Sequence, residues 1–514
     1  MTSAVDNRRL AKNTMVLYFR MLFQMAVFFY TSRVIIGVLG VVDYGVYDVV
    51  AGLAVAMMFL NNALATGSQR FITVALGKGD KEYLNKIFSA CIVVHCCLAV
   101  IVLILAETIG IWYMHTYMNI PSGRFDSALI LFQCSVISMM LFVINVPFYS
   151  VLIAYERMPA FAALSIFDVL CKLGIVIALP YFQYDKLITY GVLLMIEAFI
   201  HRGLYVVYYC IEFKELKFVR NIGFGNIKQI LSFVGWNSLS NTALVCNTQG
   251  INLLLNYIGG PVVNAARGVA VSVQSAISCF VASFLTAVYP QITKAYAQED
   301  LRNMVELVSR SSRLSFCLIS ILSVPLLVET PTLLGIWLDN VPPYSVSFTR
   351  LLIIISMVDA FATPLMVGAA ATGRAKFYYS IEGGMLLSAL PLACLIAYWG
   401  YGANAVFVMY LCVTIATQCV RVVLCHELFG LPRKKYFIQE MIRGIIAFLI
   451  ALTLPYILQY YLPNNLWLHL CNSILSAVWS AMCIIIIGLK NQERKFALNK
   501  AKSIINSKRL HFHF

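Results

Sequence analysis

The chain alternates long apolar runs with short polar joints from end to end. Each run is about 20 residues, the length a helix needs to cross the hydrocarbon of a bilayer. Together they predict fourteen helices, α1 to α14, at 14–38, 46–69, 87–114, 127–152, 161–181, 187–211, 229–256, 262–289, 306–336, 348–372, 377–400, 403–426, 438–461 and 466–489. The runs are continuous rather than alternating, which excludes a transmembrane barrel. The fold class expected is an all-α polytopic membrane protein. The longest outer joints, around 115–126 and 337–347, are too small to fold as domains.

The pattern also repeats. Ile72-Thr73-x-Ala75-x4-Asp80-x3-Leu84-x2-Ile87 returns as Ile292-Thr293-x-Ala295-x4-Asp300-x3-Met304-x2-Leu307, at an offset of 220. Pro147-x6-Ala154-x2-Arg157 returns as Pro364-x6-Ala371-x2-Arg374, and Tyr181-Phe182-x-Tyr184 as Tyr398-Trp399-x-Tyr401, both at an offset of 217. Each echo is weak alone, but their common order and near-constant shift mark a duplication. The expected organisation is a six-helix bundle over 1–213, a second over 229–427, an extra helix pair over 438–490 and a basic tail over 491–514. Six is even, so both halves enter from the same side. The repeat is therefore parallel about the membrane normal, the plan of a transporter whose bundles enclose a cleft and rock between inward and outward states.

Composition agrees: 61% of the 514 residues are hydrophobic and 12% charged. The basic residues set orientation. With the N-terminus inside, the inner segments and helix ends hold 29 of the 38 Lys and Arg, and the outer segments only Arg124, Lys186 and Arg350. That asymmetry predicts cytoplasmic termini. It also accounts for the net charge of +15 through topology and attraction to anionic lipid, with no nucleic-acid partner. Arg8, Arg9 and Lys12 precede α1 without a small-residue cleavage site, so α1 is expected to stay as an anchor. The fifteen cysteines lie mostly within apolar runs, Cys91, Cys96 and Cys97 on one helix, and show no zinc spacing. No P-loop or glycine-rich phosphate cradle appears, and Glu299-Asp300 is the one adjacent acid pair. The sequence thus points away from ATP hydrolysis and metal-dependent glycosyl transfer, and predicts no metal or cofactor.

Charge within a span costs about 2.5–3.5 kcal/mol per residue, so each instance needs a reason. Arg20, Gln24 and Thr31 share one face of α1, while Arg33 lies near the outer end, placed to snorkel. The most polar span is α7, with Asn237, Asn241, Thr248, Asn252 and Asn256 within about 100° of arc. Asn264, Arg267, Gln274 and Ser278 add a stripe on α8. These stripes sit on the first hairpins of the two halves and would face a shared watery cavity. The asparagines read equally well as interhelical glue. Arg20 and Arg267 favour the cavity, because a mid-helix guanidinium demands an anion or water. Asp168 and Lys172 on α5, like Glu197 and His201 on α6, are spaced to neutralise each other, although such a pair could also bind a proton or sodium. Asp48 and Asp359 have no partner on their own helices and are the candidates for ion coupling. His95 reads as a satisfied core histidine. Arg202 and Arg421, near the inner ends of α6 and α12, read as snorkelling to lipid phosphate. Arg157 and Arg374 read as helix caps or inner-surface anchors.

The two-times-six repeat, the Leu39-Gly40-x2-Asp43-Tyr44-Gly45-x-Tyr47 turn after α1 and the Pro-x6-Ala-x2-Arg element resemble the multidrug/oligosaccharidyl-lipid/polysaccharide (MOP) flippase superfamily, and within it the polysaccharide transporter branch of O-antigen and capsule flippases. In the second half Gly259-Gly260-Pro261 stands where the tyrosine-glycine pattern should repeat. The resemblance implies a flippase of the bacterial inner membrane that moves undecaprenyl-diphosphate-linked oligosaccharide, an O-antigen, lipopolysaccharide or capsule repeat unit, by alternating access. It implies a cationic cavity in which Arg20 and Arg267 hold the diphosphate, since a guanidinium binds phosphate oxygens in pairs. Gln24, Asn237, Asn241, Asn252, Asn256 and Gln274 would contact sugar. In related peptidoglycan-precursor flippases the extra helix pair shapes a groove for the lipid tail, so α13 and α14 could do so here. Membrane lipids and polysaccharide assembly proteins are the further partners implied.

Three other functions remain to be weighed. A cation-coupled multidrug exporter of the same superfamily typically has twelve helices and a carboxylate-rich or apolar cavity. A membrane polysaccharide polymerase or ligase commonly displays a large outer loop, and none occurs here. A scaffold without transport would have little use for six intramembrane bases.

Overall fold

Two glycines, at matching places in the two repeats, break the two longest helices of the chain. Ser3–Ala56 carries α1 and the start of α2, and departs from helical geometry at Gly40 (φ 77°). Phe224–Ala297 carries α7 and α8 and departs at Gly260 (φ 67°). A Cβ is strongly disfavoured at such angles, so both turns need glycine. Their separation equals the offset of the Ile-Thr-x-Ala echo. Gly260 therefore continues the duplication at the very turn where the tyrosine-glycine letters stop matching.

In this computed structural model the described residues are 3–56, 68–69, 71–73, 75–76, 79–155, 157–372, 375–463, 465–490 and 493–494, excepting the side chains at 3–22, 24, 28, 158, 229, 232–244, 246, 283, 286–287, 290, 293–294, 297 and 375–376. No strand occurs among them. Among the described residues, twelve helical stretches are long and apolar enough to span a membrane. Two of these, Met25–Ala56 and Asn247–Ala282, contain the glycine breaks. Counting each broken stretch as two passes recovers the fourteen expected.

The duplicated loop is built the same way twice. Asp80 and Asp300 cap the helices that follow, each accepting the backbone N–H three residues on at 3.0 Å. Gly79 N–H donates to the Leu76 carbonyl, and at the equivalent place Glu299 N–H donates to the Tyr296 carbonyl. Both turn residues have positive φ, 70° at Gly79 and 58° at Glu299. Around each loop the echoed apolar positions form a core. Ile72, Ala75, Leu84 and Ile87 are buried with Val151 and Leu152. Ile292, Ala295 and Met304 are buried with Leu365 and Ala369, and Leu307 packs against them. Pro147 and Pro364 each lie inside a helix. Arg157 pairs with Glu212; Arg374 lies outside the described residues. The third echo has a different role: Tyr181, Tyr184, Tyr398, Trp399 and Tyr401 are all exposed, as the amphipathic rings of a membrane interface are.

By packing, the chain forms two compact units. One comprises Met1–Gly268, Trp337–Tyr344 and Leu387–Val406; the other comprises Val269–Ile336, Ser345–Leu386 and Phe407–Phe514. In the first unit, Arg124 ties three outer connections together by pairing with Asp43 of the α1–α2 turn and Asp185 before α6. Burial raises the Asp185 pKa, but backbone N–H donation from Ile188 and Leu187 and the Arg124 guanidinium outweigh it and hold the carboxyl below its ordinary value. Arg33, at the same end, pairs with Asp339 at 2.9 Å rather than relying on lipid alone.

In the second unit, α13 and α14 (Arg433–Tyr461 and Leu466–Gly488) dock on α9 (Leu301–Val328). The joint has an apolar layer of Val324, Ala451 and Cys483. At one end of the joint lies Glu329, fully buried, which accepts from Asn472 Nδ2 at 2.6 Å and sits 2.9 Å from His469 Nδ1. Gln459 Nε2 donates to the Val328 carbonyl at 2.7 Å. The final pair is thus attached by matched polar groups as well as by apolar area.

Candidate functional site

In the first unit, α2 presses against the α7–α8 hairpin, and glycine makes the approach possible. A Cβ on Gly45 would overlap the Pro261 carbonyl, and one on Gly52 would overlap the Asn252 amide. A Cβ on Gly268 would stand 3.2 Å from both Asp48 Oδ1 and the Tyr44 hydroxyl. Beside this approach, Arg267 Nη1 faces Asp48 Oδ2 at 3.6 Å. Arg267 Nη2 donates to the Thr248 carbonyl at 3.1 Å. Two charges expected to act separately are therefore one pair: Asp48, with no partner on its own helix, has one from another. A neighbouring helix supplies what its own helix does not. The pair is loose: side-chain exposures are 11% for Arg267 and 22% for Asp48, while Asp48 Oδ2 itself is buried and makes no hydrogen bond among the described residues.

Along the α7–α8 hairpin the asparagines form a ladder. Asn264 Nδ2 donates to Asn252 Oδ1 at 2.8 Å and to its carbonyl at 2.9 Å. Asn256 Nδ2 donates to Asn264 Oδ1 at 3.0 Å, and Asn256 Oδ1 accepts from the Asn119 backbone at 2.8 Å. Asn252, Asn256 and Asn264 are all buried. Here the amides of Asn252 and Asn256 bond to the protein itself, which is the geometry of interhelical glue, worth about 0.6 kcal/mol per bond in membranes. Gln274 is half-buried and belongs to the second unit. The side chains of Arg20, Gln24, Asn237 and Asn241 lie outside the described residues.

A second polar centre joins what looked like two separate pairs. Lys172 Nζ lies 2.8 Å from Asp168 Oδ1 on α5. His201 Nδ1, on α6, lies 3.1 Å from the same oxygen and 3.7 Å from Glu197 Oε1. Arg202 Nη1 is 3.0 Å from His201 Nδ1, and its guanidinium stands over the Phe142 ring at 5.0 Å. The ligand atoms of Asp168, Glu197 and His201 fall within 4.8 Å of one another, close enough to share a cation. The Lys172 ammonium already neutralises Asp168, which disfavours a divalent ion there. The i,i+4 spacings were visible in the sequence; the convergence of α5 and α6 was not.

The matching centre of the second unit lies around Arg421. Its Nε donates to Glu382 Oε1 at 2.7 Å, and Nη1 lies 3.6 Å from Asp359 Oδ1. Arg421 is buried, so it does not snorkel; two carboxylates take the place of lipid phosphate. Asp359, which has no partner on its own helix, faces Arg421 from another, while its own side chain keeps 45% exposure. His95 is buried and its Nδ1 is 2.8 Å from the Cys91 carbonyl, the core role expected.

No family model matches the chain, and no curated protein sequence matches it. Solved structures do. An inward-facing multidrug resistance MATE family transporter of the MOP superfamily aligns at a TM-score of 0.65 and 12% identity, covering 82% of this chain and 99% of its own. The lipid II flippase MurJ, in an inward closed conformation, aligns at 0.63 and 13% identity, covering 92% of this chain and 98% of its own. A MOP superfamily transporter from Pyrococcus furiosus, distinguished by reverse polarity of its binding pocket, aligns at 0.51 and 13% identity, covering 83% and 96%. At these identities the likeness is one of fold.

Proposed function

We propose, from the fold of MOP-superfamily transporters, that this multi-pass membrane protein is a flippase moving a polyprenyl-diphosphate-linked oligosaccharide across the cytoplasmic membrane by alternating access. The observation that carries the reading is Arg267, an intramembrane guanidinium whose carboxylate partner, Asp48, stands 3.6 Å away. A tight, sealed pair would be structural. A pair at 3.6 Å, longer than a hydrogen bond, can exchange one anion for another. A diphosphate arriving at Arg267 would release Asp48, which could then take a proton or sodium ion. Substrate binding and ion coupling would thus share one switch, with Asp359 the corresponding carboxylate beside Arg421. Arg20 would add a second positive charge for the diphosphate, and the α1 and α7 polar residues Gln24, Asn237 and Asn241 would follow the sugar. The flippase match spans more of the chain than the multidrug match by about the length of the α13–α14 pair, which further supports a lipid-linked cargo.

In cells lacking the protein, lipid-linked repeat units should accumulate on the cytoplasmic leaflet. Arg20→Ala and Arg267→Ala variants should insert normally yet lose transport about tenfold or more, the scale of one charge-assisted phosphate contact. Full surface polysaccharide from both variants would sink the site assignment. The alternative, a cation-coupled multidrug exporter, draws support from the carboxylates of the α5–α6 centre. Drug efflux without any glycan phenotype would favour it.

A further inference from the structure

The inner ends of α9, α12, α13 and α14 enclose a cavity of about 760 Å³ within the second unit. Its walls are mixed. Basic side chains, among them Arg310, Arg313 and Lys435, outnumber the glutamates, while Val305 and Phe429 give apolar surface. None of these residues belongs to the Arg267 or Arg421 centres.

At the base of the cavity Arg313 is almost fully buried, 1% exposed, and pairs with Glu440. Its other arm meets Glu493, which follows the last helix. Glu493 is held as a bound anion would be held. Oε1 accepts from Arg313 Nη2 at 2.5 Å and stands 3.1 Å from Arg310 Nε. Oε2 accepts from the Lys490 backbone N–H at 3.1 Å. Two guanidiniums and a backbone amide form the usual cradle of a phosphate, here filled by the chain's own carboxylate. Arg313 Nε is buried and has no hydrogen-bond partner among the described residues, so the cradle retains a donor that Glu493 does not use. Above it Arg310, Arg302 and Lys435 are exposed or half-exposed toward the opening.

We propose that this cavity binds the phosphate of an anionic membrane lipid, with Glu493 as an internal occupant that the phosphate displaces. The position suits a lipid better than a soluble anion. Helix ends are where headgroup phosphates lie, basic pockets between helices on the cytoplasmic side select anionic headgroups, and Phe429 and Val305 offer a surface for what the phosphate carries. The phosphate could belong to a bilayer phospholipid or to a polyprenyl diphosphate; only the second source rests on the flippase reading. Displacing Glu493 would also free the segment that begins the basic tail, linking occupancy to that tail.

The test uses the full chain, purified in detergent and in nanodiscs, with binding rather than transport as the readout, so that failure of the flippase reading leaves it intact. The probes are inorganic pyrophosphate, farnesyl diphosphate, and nanodiscs of phosphatidylglycerol or phosphatidylcholine. Glu493→Gln should tighten pyrophosphate binding about tenfold, and Arg310→Gln or Lys435→Gln should weaken it comparably. Retention of phosphatidylglycerol over phosphatidylcholine, reversed by pyrophosphate, identifies a phospholipid source. Retention of farnesyl diphosphate alone identifies a diphosphate source. If Glu493 is only a tether, Glu493→Gln will lower the melting temperature without changing pyrophosphate affinity, and the proposal falls. It falls equally if Arg310→Gln and Lys435→Gln bind every probe as the wild type does.

Discussion

At the scale of single residues, the duplication preserved backbone conformation more faithfully than side-chain identity. Gly40 and Gly260 are legible as partners only once their φ angles are known, because the letters around them diverge. Gly79 and Glu299 show the same divergence with a cost. Both hold a left-handed turn before a capping aspartate, but only one is glycine. A non-glycine residue loses about 1–2 kcal/mol there, part of which glycine returns through its freer unfolded state. Glu299→Gly is therefore expected to stabilise the protein by roughly 0.5–1 kcal/mol, and Gly79→Ala to destabilise it by about 1 kcal/mol. Thermal melts in detergent would show both signs; a destabilised Glu299→Gly would mean that the side chain makes a contact outweighing the strain. Asp48 and Asp359 teach a related lesson. Periodicity finds partners on the same helix, whereas theirs, Arg267 and Arg421, come from other helices far along the chain.

At the scale of elements, nearly everything was legible. Apolar run length is a strong signal for membrane helices, since every backbone polar group must be satisfied inside the segment. The echoed loop was legible too, and its recurrence now has a cause: a left-handed turn, an aspartate cap and an apolar plug under each helix start. Removing a cap should cost about 1 kcal/mol. Asp80→Ala and Asp300→Ala are each expected to lose that amount, and Asp300→Asn only a few tenths, because an asparagine oxygen accepts the same N–H. Chemical denaturation in mixed micelles measures the difference; equal losses for alanine and asparagine would point to charge, not the cap. What run length could not supply was the joining of elements. The meeting of Asp168 with Glu197 and His201, and of Glu329 with His469 and Asn472, depends on which helices are neighbours.

At the scale of the whole molecule, sequence halves and packing units are different divisions. The halves begin again at α7, while the first packing unit runs on to Gly268 and takes in Trp337–Tyr344 and Leu387–Val406. The Arg267–Asp48 pair thus joins the first hairpins of both repeats within a single unit. The remaining global property, orientation, is an expectation from charge asymmetry. Twenty-nine basic residues in the segments expected inside against Arg124, Lys186 and Arg350 in those expected outside is a large bias, in loops short enough for the rule to hold. The three outer bases are also used differently. Arg124 is committed to Asp43 and Asp185, and Arg350 Nε donates to the Leu327 carbonyl at 3.0 Å. On this charge bias, a reporter active only outside the cytoplasm should work when fused after Ile120 or Val341, and be silent after Ile222, Glu299 or Gly430. The reverse pattern would place the Arg310–Arg313 cavity on the outer face and remove the premise that diphosphate is loaded from inside, so this single topology map bears on both proposals at once.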